Sequence, residues 1–155
     1  MVETRDERSL IAAGLERVYV ELDWYDGPRA GLADVDGTVH YFHTDDYVAE
    51  VPEYGVWPAG EDVVALERES WAIFVRWHDR FGAGTATSRS HPGHGGIDAR
   101  YDELTSLLTA HRQPPADARR LVAQWRSGSG GGRYRIGGVD YRVRWRPAGR
   151  ATSVG

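Results

Sequence analysis

Few side chains in this sequence have the type and spacing to do chemistry. Glu67 and His78 fall inside the apolar arc of a segment that reads as a long helix. A carboxylate or imidazole among apolar neighbours has its pKa displaced, and such groups gather at sites. These two are the catalytic candidates. They lie eleven positions apart, about 16 Å along a helix, so they cannot form one acid–base pair and each needs its own partners. The bland reading pairs Glu67 with an arginine and leaves His78 at the cation-favouring C-terminal end of the helix.

His91 and His94 stand in "HPGH". Two imidazoles from one turn suit zinc, nickel or copper, with a third ligand from His78, Asp98 or His111. The spacing matches no established metal motif, and a solvated polar loop is the simpler account. These two are weak metal candidates, and the sequence implies no cofactor. His40 and His43 are three apart on a strand and point to opposite faces, so they cannot chelate together.

A third group is basic. Arg142, Arg144 and Arg146 alternate along the last strand-like segment, with Arg133 and Arg135 just before it. They are the best candidate patch for a polyanion. The chain has no Gly-x-Ser-x-Gly, phosphate-binding loop or His-Glu-x-x-His. "GSGGGR" at 128–133 has glycines, but the phosphate-binding fingerprint needs a strand before and a helix after. The reading here is a helix before and a strand after.

The composition is that of a globular protein: 155 residues, 41% hydrophobic and 27% charged, enough for one domain and one core. There is no cysteine, which excludes disulfides and thiolate chemistry. No apolar run is long enough to span a membrane, and the acidic N-terminus does not read as a signal peptide. The cytoplasm is the expected compartment. All 19 basic residues are arginine, a bias that carries no functional argument. Residues 1–70 hold 17 acids and 5 arginines, whereas residues 71–155 hold 6 acids and 14 arginines. Two halves facing each other in one fold would explain this better than a basic tail seeking nucleic acid, given the net charge of −4.

The elements that must position these groups follow from periodicity. Residues 18–24 alternate as a half-buried strand, with Val18, Val20, Leu22 and Trp24 on one face and Tyr19, Glu21 and Asp23 on the other. "RAGLADV" and "TVHYFH" flank Asp36-Gly37, a strong hairpin signal. A two-residue turn sets Val35 opposite Thr38, Ala33 opposite His40, Gly31 opposite Phe42, Leu32 opposite Tyr41 and Asp34 opposite Val39. The 54–57 stretch reads as a short strand and 61–81 as a helix with an apolar arc about 200° wide. A flexible loop at 82–96, a helix at 98–112, a third helix from Pro-Pro to residue 126 and a linker at 127–132 follow. A hairpin around Gly137-Gly138 ends the domain.

"YDGPRAG", "DGTVHYF" and "WAIFVRW" with a following "HP" together resemble a group of small uncharacterised bacterial proteins over about residues 18–112. The resemblance implies a recurring domain and no activity.

The expected fold is therefore α+β. A small antiparallel sheet of about five strands, able to curl into a short barrel, is covered by one long and two shorter helices. Residues 1–14 form an N-terminal segment, flexible or helical, 15–147 the domain and 148–155 a disordered tail. The expected function is a non-enzymatic binding or regulatory module for a protein or small-ligand partner, since six Trp and eight Tyr offer anchors for recognition. The alternatives are a His-based, metal-dependent enzyme around His78, His91 and His94, and a nucleic-acid binder using the Arg142, Arg144 and Arg146 face.

Overall fold

A computed structural model describes residues 7–128 and 132–149. Its centre is a closed antiparallel barrel of six strands, in the order β1 (Glu16–Trp24), β2 (Pro28–Val35), β3 (Thr38–His43), β4 (Glu53–Pro58), β5 (Arg119–Ser127) and β8 (Tyr141–Pro147). A two-stranded ribbon, β6 (Tyr134–Arg135) with β7 (Gly138–Val139), lies beside it. The helices are α1 (Glu7–Ala12), α2 (Glu61–Gly82) and α3 (Ala99–Leu108). The α+β barrel under one long and two shorter helices is the expected architecture, with one strand more than anticipated.

Asp36 and Gly37 hold φ of 54° and 80°, the left-handed pair that a tight hairpin turn needs. The β2–β3 register then falls as alternation dictates, from Val35 opposite Thr38 to Gly31 opposite Phe42. Gly31 is required where it stands. A Cβ there would land on the carbonyl oxygen of Val20 and 2.9 Å from two ring carbons of Phe42. The register puts Phe42, Val56, Leu121, Trp125, Val143 and Trp145 on the barrel's inner face. Inside, the rings of Phe42, Tyr54, Trp125 and Trp145 all lie within 5.9 Å of one another. Closing the barrel also removes the exposed edges of an open sheet.

The expected third helix at 114–126 is instead a turn leading into strand β5, which begins at Arg119. Ala118, Leu121, Val122 and Trp125 satisfy helical spacing, but Leu121, Ala123 and Trp125 satisfy a period of two equally well. The fold decides between them: β5 fills the gap between β4 and β8, pairing with both. The other short helix is α1, which buries Leu10. The expected C-terminal hairpin divides in two, since only β6 and β7 pair around the glycines while β8 joins the barrel. Ser127 ends β5 and Gly128 follows it, and positions 129–131 of the expected linker lie outside the described residues, as do positions 150–155 of the expected tail.

The two halves of the charge distribution do face each other. Glu7, Glu21, Asp36, Glu53, Glu67 and Glu69 meet Arg142, Arg133, Arg119, Arg120, Arg112 and Arg100 respectively. No helix among the described residues is long and apolar enough to cross a membrane.

Candidate functional site

α2 starts with Glu61 and Asp62, which complement the positive end of its dipole, and buries Glu67, Ser70, Trp71, Val75 and Trp77. α3 is capped by Asp98, whose carboxylate accepts the Tyr101 N–H at 2.8 Å. Both helices pack on the outer face of the barrel. Between them and strands β1–β3 lies a cleft of about 500 Å³, within the range of small-molecule sites. Its apolar walls include Leu22, Trp24, Trp71 and Phe74.

Glu67 is at the cleft and is fully buried. The Arg112 side chain donates to it twice, through Nε and Nη2, both at 2.8 Å, and the Tyr41 hydroxyl donates at 2.6 Å. Burial opposes the Arg112 charge, yet the facing carboxylate outweighs it and raises the guanidinium pKa. Burial and the same carboxylate push the Tyr41 hydroxyl far above its usual value. The arginine partner expected for Glu67 is thus Arg112. The group is a closed ion pair that ties α2 to Arg112 and to the barrel wall.

The opposite wall holds a second carboxylate that the alternation of β1 misplaces. Val18 pairs with Ala33, Val20 with Leu32 and Glu21 with Gly31, because the register shifts between Val18 and Val20; it shifts again after Glu21 and after Asp23. An extra residue turns the following side chains to the other face. Glu21 therefore leaves the solvent face expected of it and shares the face of Gly31. Its side chain is only 8% exposed. It accepts from the hydroxyls of Tyr134 at 2.6 Å and Tyr141 at 2.7 Å, and from Arg133 at 3.2 Å. Burial and this carboxylate raise both tyrosine pKa values. Trp24, 44% exposed, carries the Arg133 guanidinium 4.1 Å from its ring centroid.

The histidines separate. His91 lines the cleft, 4.5 Å from Trp77 and 5.6 Å from Phe74 between ring centroids. Its Nδ1 accepts the Gly93 N–H at 2.8 Å, which puts the proton of the neutral ring on Nε2. Burial, then the nearby His94, lowers its pKa. His94 bonds the Ser88 carbonyl through Nε2 at 2.9 Å. His78 packs edge-on to Tyr134, 4.9 Å away, and is not among the cleft's lining residues. The 82–96 segment contains two short 3₁₀ turns, and the Trp77 indole N–H is bonded to Ser90 at 3.0 Å. It is an anchored loop rather than the free one expected. Among the described residues no group of three or more His, Asp or Glu side chains could hold a metal ion.

The arginine stripe is engaged. Arg142 bonds Glu7 at 3.0 Å and Arg144 bonds the Ala13 carbonyl, so α1 and its following turn lie over it. Arg146 remains exposed. Sequence reasoning missed Arg112, Tyr41 and Glu21. Arg112 carries no local signal, and the bulges that turn Glu21 are not written in the alternation.

The chain matches no family model, and no curated protein or solved structure is significantly similar to it.

Proposed function

We propose that the protein is a non-enzymatic binding module whose site is the cleft between α2–α3 and strands β1–β3, with a small ligand as its occupant. The observation that carries this reading is the pairing of aromatic walls with uncommitted polar groups. Trp24, Trp71 and Phe74 offer flat apolar surface. His43 and Gln113 line the same cleft without a side-chain hydrogen-bond partner among the described residues, and Asp23 commits only one oxygen, to Tyr47. The two buried carboxylates of the cleft, Glu67 and Glu21, each accept three hydrogen bonds from fixed partners, which favours a preorganised receptor over a catalyst. The ligand class is a flat, mostly apolar molecule with hydrogen-bonding edges. The cytoplasm and a bacterial source belong to the same proposal.

Native mass spectrometry of the protein as purified tests it. A retained small molecule, lost in an Ala30→Phe variant that narrows the cleft, is the expected result. A ligand-free wild type that also ignores a library of heteroaromatic fragments would refute it. Retention on heparin, abolished by charge reversal at Arg146, would instead favour the nucleic-acid reading.

A further inference from the structure

A second cavity, also of about 500 Å³, lies beside the β1–β2 turn and shares no lining residue with the cleft. Arg29 lines this cavity and Ala30 the cleft. They are consecutive on β2, so their side chains leave opposite faces. Arg29 is only 6% exposed. Its Nε donates to the Tyr25 carbonyl at 2.6 Å and its Nη1 to the Asp46 carbonyl at 3.1 Å. A guanidinium has five N–H donors, so three have no partner among the described residues. Among the described residues no carboxylate stands within ion-pair distance of Arg29. The nearby Asp46 carboxylate accepts the backbone N–H groups of Val48 and Ala49 on one oxygen, Oδ1; these hold its pKa low, and the Arg29 charge adds to them from beyond contact distance.

Buried charges are ordinarily paired, as Glu67 is with Arg112 in this same chain. A buried guanidinium that lines a cavity, with no carboxylate in contact among the described residues, is a built anion site. The rest of the cavity says which anion. Tyr47, Val51, Pro52 and Trp125 supply apolar walls, and the Tyr47 ring lies 5.2 Å from the guanidinium carbon. Asp26 and Glu50 also line it, both exposed. These carboxylates repel a dianion about twice as strongly as a monoanion, so a single arginine favours a singly charged occupant. We infer that this cavity binds a carboxylate carried on an apolar or aromatic body, through a charge-assisted pair with Arg29. A free organic acid and the C-terminus of an apolar peptide both present that chemistry.

Calorimetric titration of the full chain at neutral pH tests it. The probes are phenylacetate and N-acetyl-Val-Phe with a free carboxylate, each beside its amide. At least one acid should bind, and its amide should bind at least tenfold more weakly, a difference of about 1.4 kcal/mol. Which acid binds tells a free acid from a chain end. Arg29→Gln should abolish binding. Should that variant fail to fold, Ala123→Phe, which fills the cavity and leaves Arg29 in place, should abolish it instead. Equal binding of acid and amide, binding that survives Ala123→Phe, tighter binding of phenyl phosphate, or no binding of either acid at about 10 mM would overturn the inference.

Discussion

Glu67 and Arg112, forty-five positions apart, are joined side to side by two hydrogen bonds of 2.8 Å. The pair ties the middle of α2 to the chain just after α3, and through Tyr41 to the barrel. It fixes the distance between helices and sheet at the cleft. Its desolvation is costly, so its worth is best measured by breaking it one partner at a time.

Glu67→Gln leaves the half-buried Arg112 charge without its counter-ion, and an uncharged amide in the fully buried place of the carboxylate. The expected cost is about 3–5 kcal/mol in denaturant unfolding. Glu67→Gln combined with Arg112→Met removes that charge and should recover part of the loss. A single-variant change below about 0.5 kcal/mol, the size of an ordinary surface substitution, would contradict the buried pair.

Gly31→Ala drives a methyl group into the Val20 carbonyl and the Phe42 ring. Overpacking costs about 1–3 kcal/mol and occasionally more, and the backbone clash puts this case at the upper end. Phe42→Leu in the same chain relieves the ring contact but not the carbonyl contact, so it should not restore wild-type stability. Thermal melts of the two variants check this.

Removing residues 128–155 deletes β8, the strand that pairs with β1 and with β5. Two edges and the face holding Trp125 would be uncovered. The truncated chain should lose its near-ultraviolet circular dichroism and aggregate. A truncated chain with the melting temperature of the full one would show that barrel closure contributes nothing.

The β2–β3 hairpin was legible pair by pair, because Asp36-Gly37 and a period of two are local signals. So were α2 and the place of Glu67 on its buried side. β5 was not legible: its apolar positions fit two periods, and its choice depends on strands β4 and β8, more than sixty and fourteen positions away in sequence. Glu21 was placed on solvent because a bulge changes a side chain's face without changing the residue pattern. Arg29 and Arg112 were not singled out because nothing in their neighbours distinguishes them from seventeen other arginines.

His91 should make stability fall as the solution is acidified. Its folded pKa lies below the ordinary 6.5, so the unfolded chain binds the proton first. Its contribution is complete above about pH 6.5 and is lost as the pH falls through the folded pKa. Melts from pH 7.5 to 5 should show a smaller decline in His91→Phe than in the wild type. Because His91 packs on Trp77 and Phe74, replacing His91 and His94 by alanine together should also lower the melting temperature. Identical pH slopes for wild type and His91→Phe would contradict the desolvated imidazole.

The claim that the α2–β1 cleft is a ligand site is tested most directly by the indole N–H resonances of Trp24 and Trp71. Both rings line the cleft, while the Trp145 indole bonds the Asp34 carbonyl elsewhere and serves as an internal reference. During titration with a heteroaromatic fragment library, the account predicts saturable shifts of the Trp24 and Trp71 signals, an unmoved Trp145 signal, and loss of the effect in Ala30→Phe. Fragments that shift neither cleft indole, or that shift them equally in Ala30→Phe, would contradict it.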